Sequence, residues 1–224
     1  RALLSALSPT DFSNEAFPFA TMQEIDLGYA RVMACRITYV GELGWELHLP
    51  TEYAATVFAA LHEAGAPHGL RNAGYRAIET LRLEKGYRAW ASDIGPDHTP
   101  DEAGLGWAVK MKSGIPFKGR DAIATQRKDG IKKILATFTT DGNTILSGRE
   151  TIYRNGQRCG WLSSGGYGHT LGVSIGLGYV RADHVIDRDY VLNGEYELEV
   201  ATQRVPAKVT LAPLYDPHMA RVNS

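Results

Sequence analysis

The sequence predicts an α+β fold: a mixed helix-and-strand portion over residues 1–130, followed by a small all-β barrel or sandwich over residues 131–224. Three observations carry this. Up to about residue 130, apolar residues recur at helical spacing between capping and stopping residues, and beyond it the apolar period becomes two. Turn dipeptides of the kind that close β-hairpins then recur at Gly142-Asn143, Asn155-Gly156 and Asn193-Gly194. Finally, 224 residues that are 44% apolar and 22% charged are enough to bury a sizeable core.

The opening Leu3, Leu4 and Leu7 read as the end of an apolar helix stopped at Ser8-Pro9, and with Arg1 in place of Met they imply a piece of something longer. Val32–Val40 and Trp45–Leu49 read as two strands about the loop Gly41-Glu42-Leu43-Gly44. That register sets Val40 opposite Trp45 and Tyr39 opposite Glu46, so the Tyr39 ring and the Glu46 carboxylate share a face. Thr51 to about Gly65 has a capping Thr, apolar Ala54, Val57, Phe58 and Leu61, and a terminal Gly, which predicts an amphipathic helix. A second helix is predicted over Ala73–Lys85, with Ala73, Ala77, Ile78 and Leu81 inward and Gly86 as its stop. The stretch Trp90–Pro100 is too broken by Gly and Pro for regular structure and is long enough for a functional loop. A short helix begins around Phe117–Asp121 and ends near Gly130. The predicted strands of the β portion are Ile134–Phe138, Thr151–Arg154, Gln157–Leu162, Ser174–Val180, Glu195–Ala201 and Arg204–Leu211.

Lys and Arg total 24 against 25 Asp and Glu, a net charge of -1, so nothing in the charge balance announces a nucleic-acid or membrane-surface partner. No apolar run is long enough to span a bilayer or to serve as a secretory signal. Cys35 and Cys159 each lie in a strand-like run, which suits buried free thiols in a reducing compartment, the cytoplasm or a mitochondrial matrix.

The seven histidines form neither His-x-His nor His-Glu-x-x-His, so no metal site is expected. Ser163–Thr170 is Gly-rich but lacks a Gly-Lys-Ser/Thr ending and is flanked by strands, so no phosphate cradle is supported, and it reads as a mobile barrel loop in preference to a substrate-facing one. Glu46 alternates with Trp45 and Leu47, and a carboxylate among large apolar residues needs an explanation. It is either a solvent-facing Glu beside His48 or a carboxylate aimed at a flat ligand with adjacent N–H donors, with Tyr39 packed beside it. Periodicity does not choose between the two.

Tyr39–Glu46, Leu81–Arg88, Asp101–Trp107 and Phe117–Arg120 closely resemble the aminomethyltransferase family, as do Asn155–Gly160, Leu177–Val180 and Pro213–Pro217 in the β portion. That family includes the glycine-cleavage T-protein and the folate-binding half of dimethylglycine and sarcosine dehydrogenases and oxidases. The resemblance runs the length of the chain in order, and Glu84–Trp90 with Pro213–Pro217 is most similar to the dehydrogenase branch. It implies the later part of a folate-binding domain followed by the family's β-barrel. It also implies tetrahydrofolate as cofactor and transfer of a one-carbon unit from the imine of an N-methylated amine, giving 5,10-methylenetetrahydrofolate.

By resemblance Glu46 grips the pterin, Tyr39 is a pocket aromatic and Trp107 lies near the folate. Where the T-protein has a folate-linked Arg this sequence has Ile78, leaving Arg76 or Arg82 to compensate. The family's catalytic Asp falls upstream of residue 1, so no catalytic residue is assigned. In the dehydrogenase branch FAD belongs to an N-terminal domain or another chain, because no dinucleotide motif is present here. Two alternatives share the scaffold: a tetrahydrofolate-dependent demethylase of another methyl donor, and a non-catalytic folate-binding assembly or regulatory protein. The iron-sulfur assembly relatives carry Lys-Gly-Cys, whereas this chain has Lys118-Gly119-Arg120.

Overall fold

A computed structural model describes residues 1–142 and 144–224; Asn143, half of one expected turn dipeptide, lies outside the described residues. The chain forms two compact units, Arg1–Ile78 with His218–Ser224, and Glu79–Pro217. Among the described residues no helix is long and apolar enough to cross a membrane. No His, Cys, Asp and Glu side chains among them are grouped to hold a metal ion.

The first unit is a three-stranded antiparallel sheet with helices. A short helix α1 (Ala2–Ser5) is followed by strands β1 (Met22–Leu27), β2 (Ala30–Cys35) and β3 (Glu46–His48), in the order β1-β2-β3. Strand β1 was not predicted, because Gln23, Glu24 and Asp26 leave only Ile25 and Leu27 to mark its buried face. It meets β2 through a two-residue turn in which Gly28 has φ +59°, a conformation favoured by glycine. Ala30, Val32 and Ala34 point inward to a core with Ile25, Leu27, Phe12, Phe17 and Val57.

The predicted hairpin register is corrected here. Strand β2 ends at Cys35 and pairs Cys35 with Glu46, Ala34 with Leu47 and Met33 with His48, leaving residues 36–45 as a loop. Tyr39 is therefore not opposite Glu46. The cause is Arg36, which is 1% exposed and donates to the Phe17 carbonyl and to Asn14 Oδ1, each at 2.6 Å. Its backbone bonds Thr21 and Ala20 instead of β3, so the chain leaves the ladder. The expected helix after residue 51 appears as a 3-10 turn (Thr51–Tyr53) and α2 (Ala54–Gly65). In α2 Val57 is buried, whereas Phe58 is exposed and meets the His62 ring at a 45° tilt, with centroids 4.3 Å apart.

Helix α3 (Tyr75–Lys85) starts after Ala73, and its buried residues are Arg82, Leu83, Glu84 and Lys85 rather than the predicted Ala73 and Ala77. In the second unit α4 (Arg120–Asp129) leads into the barrel strands β4 (Ile131–Thr140), β5 (Thr151–Arg154), β6 (Gln157–Gly168) and β7 (Val173–Ile186). The short helix α5 (Arg188–Leu192), which the sequence reading passed over, precedes β8 (Tyr196–Val200) and β9 (Gln203–Thr210). The six strands close in the order β4-β7-β6-β5-β8-β9, which makes the second unit a barrel and leaves no sheet edge unpaired. Ile134, Ala136, Phe138, Ile152, Leu162, Val180 and Leu198 fill it.

The Gly-rich segment is corrected too: residues 163–168 continue β6 rather than forming a mobile loop. Its glycines allow close approach, since a Cβ on Gly165 would come within 2.7 Å of the Gly148 nitrogen. Cys35 and Cys159 are free thiols, half-buried rather than fully buried.

Candidate functional site

Strand β3 continues the alternation that begins at Trp45. Trp45 turns inward and meets Phe12 and Phe17 edge-on, with ring centroids 5.5 and 6.1 Å away. Glu46 and His48 therefore turn outward, with His48 Nε2 3.6 Å from Glu46 Oε2 and the Glu46 side chain 50% exposed. Register gives this outer face its chemistry. Met22, Cys35 and Glu46 lie in one row across the three strands, and Glu24, Met33 and His48 in the next. The carboxylate thus stands at the edge of a sheet face whose neighbouring positions carry thioether and thiol groups. Sequence reasoning missed Met22, Met33 and Cys35 as its neighbours, although the alternation of β2 places Met33 and Cys35 opposite the buried Val32 and Ala34. Tyr39 lies in the 36–45 loop and is 36% exposed, brought near the end of the sheet by chain continuity rather than by pairing.

Arg82 is placed very differently from a ligand contact. Its side chain is 0% exposed and its guanidinium donates to Asp93 Oδ2 at 2.5 Å, to Ser164 Oγ at 2.7 Å, to the Tyr87 carbonyl at 3.1 Å and to Glu79. Burying this charge beside a paired carboxylate makes it a brace inside the second unit. Asp93, which the sequence reading placed in a broken loop without a role, is the other half of the brace. It accepts from Ser163 Oγ, from Ser164 Oγ and from the Ala89 amide, and its carbonyl accepts from the Tyr179 hydroxyl. Burial and the nearby Asp93 push the Tyr179 hydroxyl's pKa well above the ordinary tyrosine value, so it stays a donor. The loop 90–100 is accordingly pinned from within.

Neighbouring residues of α3 act in the same way. Glu84 Oε1 accepts from the amides of Thr170 and Leu171, and Lys85 Nζ holds Asp216 through its carbonyl at 2.6 Å and its carboxylate at 3.0 Å. Arg82–Lys85 and Pro213–Pro217, two of the recognisable sequence stretches, are thus parts of one internal latch. Trp107 sits in a 3-10 turn (Gly106–Ala108) with its side chain outward, the residue being 76% exposed. A bidentate pair from Arg127 to Asp101, at 2.7 and 2.8 Å, fixes that turn, and Arg127 also donates to the Gly106 carbonyl. Arg76 is exposed in the first turn of α3.

Comparison with known proteins agrees with this architecture. Residues 1–113 match the GCVT N-terminal domain, and residues 133–216 match the glycine cleavage T-protein C-terminal barrel domain. The chain is 43% identical to mitochondrial sarcosine dehydrogenase of Mus musculus over 224 residues, covering 99% of this chain and 24% of that protein. It is also 38% identical over 227 residues to the mitochondrial pyruvate dehydrogenase phosphatase regulatory subunit of Mus musculus, covering 95% of this chain and 26% of that one. It therefore spans about a quarter of the length of these relatives. Among solved structures, the glycine cleavage system aminomethyltransferase T of Bartonella henselae superposes with a TM-score of 0.72 at 25% identity, covering 83% of this chain and 50% of that one. With a closed barrel behind an α+β portion, and with both family domains matched in order, the chain belongs to the glycine cleavage T-protein family of aminomethyltransferases.

Proposed function

We propose that this chain is the folate-binding portion of a dimethylglycine or sarcosine dehydrogenase-like enzyme, passing a one-carbon unit from the imine of an N-methylated amine to tetrahydrofolate. The observation that carries the reading is the collinear match to sarcosine dehydrogenase along the chain. In this reading residues 1–130 and 131–224 act as the folate portion and its barrel. The imine comes from a flavin domain or subunit carrying FAD, and the setting is a bacterial cytoplasm or a mitochondrial matrix.

The residues present fit the pterin. An ionised carboxylate is an acceptor with two oxygens, and the pterin edge presents an amino group beside a ring N–H, so Glu46 can take both in a planar fork. Its position supports this: the carboxylate is outward and half-exposed, opposite Cys35 in the register, with Met22 one strand further along the same row. Tyr39, in the same unit as Glu46, serves as an exposed aromatic contact, and Trp107 and Arg82 are assigned to the folate by the family resemblance alone. When bound, tetrahydrofolate supplies the nucleophilic nitrogens that take up the imine carbon as the demethylated amine leaves. The chain's own part is to hold and orient the acceptor, which lowers the barrier by proximity.

In the full-length protein, Glu46→Ala removes two charge-assisted bonds worth roughly 1.5 to 3 kcal/mol each, so tetrahydrofolate affinity falls at least about a hundredfold. Folate-dependent product then gives way to free formaldehyde while amine oxidation continues. Calorimetry showing the same tetrahydrofolate affinity in Glu46→Ala would remove Glu46 from the site. A second reading, a regulatory protein without turnover, is favoured by the 38% identity to a phosphatase regulatory subunit. It predicts folate binding with no amine-dependent product from any N-methylated substrate.

A further inference from the structure

The barrel carries a cavity of about 770 Å³ at one end of strands β4, β5, β6 and β7, walled by Lys132 and Lys133, Arg154, Arg158, Trp161 and Arg181. A volume of this size lies within the range of small-molecule sites. Its charge is out of keeping with a chain whose net charge is -1. Five cationic side chains line it against two acids, Glu102 and Asp183, and Glu102 already faces Lys133 at 3.5 Å and accepts from the Thr99 amide.

Two of the three guanidinium groups, those of Arg154 and Arg181, are held against aromatic rings. Arg154 donates to the Tyr190 carbonyl at 3.1 and 2.9 Å and lies 3.8 Å from the Tyr190 ring centroid. Arg181 lies 4.0 Å from the Trp161 ring centroid. Stacking leaves the planar edge of a guanidinium available for hydrogen bonding. The Arg181 Nε–H is buried without a hydrogen-bond partner, a state that costs free energy unless something else accepts from it. Lys132 and Arg158 are exposed at the cavity and have no ion-pair partner among the described residues. The field extends beyond the wall: after burial itself, Lys133 and Arg181 are the next causes lowering the pKa of His98.

We propose that this barrel cavity is a binding site for a small, multiply charged oxyanion, gripped by Arg181 and Arg158 with Lys132 at its edge. Planar guanidinium forks suit the oxygens of a phosphate or a carboxylate alike. The site is independent of the Glu46 face and of the folate reading, and it needs neither an amine nor a folate to be occupied.

The test is isothermal titration of the full-length protein at low ionic strength with two probes, pyrophosphate and citrate. Saturable one-to-one binding is expected, weakening as salt is raised. Tighter binding of pyrophosphate assigns a phosphorylated ligand, and tighter binding of citrate assigns a polycarboxylate. The double variant Lys132→Ala/Arg158→Ala removes two exposed side chains and so spares the core, and it should weaken binding roughly tenfold or more. Lys118→Ala, an exposed cation outside the cavity, should leave binding unchanged. Saturation by neither probe overturns the proposal. So does a double variant that binds as tightly as the parent, or a Lys118→Ala protein that weakens equally, since binding would then follow overall charge.

Discussion

Arg82 and Asp93 form an ion pair in which both side chains are fully buried, with Ser163, Ser164 and the Ala89 amide taking up the remaining acceptor capacity of the carboxylate. Such a pair contributes little net attraction once desolvation is counted, yet removing one partner strands the other charge in a dry site. Arg82→Met should therefore lower the free energy of unfolding by about 3–5 kcal/mol, read by urea denaturation. Arg82→Met combined with Asp93→Asn should recover a substantial part of that loss, because no fully buried charge is then left unpaired, the partly exposed Glu79 remaining in reach of water. A double variant as unstable as the sum of the two singles would show that the residues do not act as a pair. The same measurement separates this brace from a ligand role, since a folate contact on an exposed surface would leave urea unfolding almost unchanged.

At the scale of elements, the β6–β7 pairing depends on small residues where backbones come close. A Cβ at Gly160 would collide with the carbonyl oxygen of Tyr179, and neither partner is a flexible side chain end that could swing away. Gly160→Ala should cost about 1–3 kcal/mol, with the loss of amide protection confined to β6 and β7 in hydrogen exchange. Protection lost evenly around the barrel would count against this local account.

This pairing also explains why β6 was legible only in part. Residues 157–162 alternate visibly, but a run of Ser and Gly has no side-chain period to read, so strand and loop look alike there. Strand β8 was legible because Tyr196 and Leu198 alternate with Glu197 and Glu199, and β4 because Ile134–Ala136 and Phe138 form an apolar run. The β2–β3 register was not legible, because Arg36 leaves the ladder to satisfy acceptors at Asn14 and Phe17, far away in sequence. At the candidate site the outward direction of Glu46 could be read from its alternation with Trp45 and Leu47. Its actual neighbours could not, since they follow from that register.

For the molecule as a whole, the order of the chain and the order of its units differ. The first unit takes its opening residues and its last seven, His218–Ser224, while the second lies between them. Asn14 donates to the Asn223 carbonyl at 3.0 Å, Arg1 donates to the Ser224 carbonyl at 2.8 Å, and Val222 is 1% exposed. Deleting residues 218–224 should lower hydrogen-exchange protection in β1–β3 while the barrel strands keep theirs. Uniform loss in both would mean that the units open together.

The closing segment also sets a timetable for synthesis. A ribosome delivers the whole of residues 79–217 before it delivers the segment 218–224 that packs with residues 1–78. The barrel, although it follows in the chain, can mature while the sheet of β1–β3 still waits for its strap. A chaperone or a stalled ribosome would therefore meet a first unit still open after the second is finished.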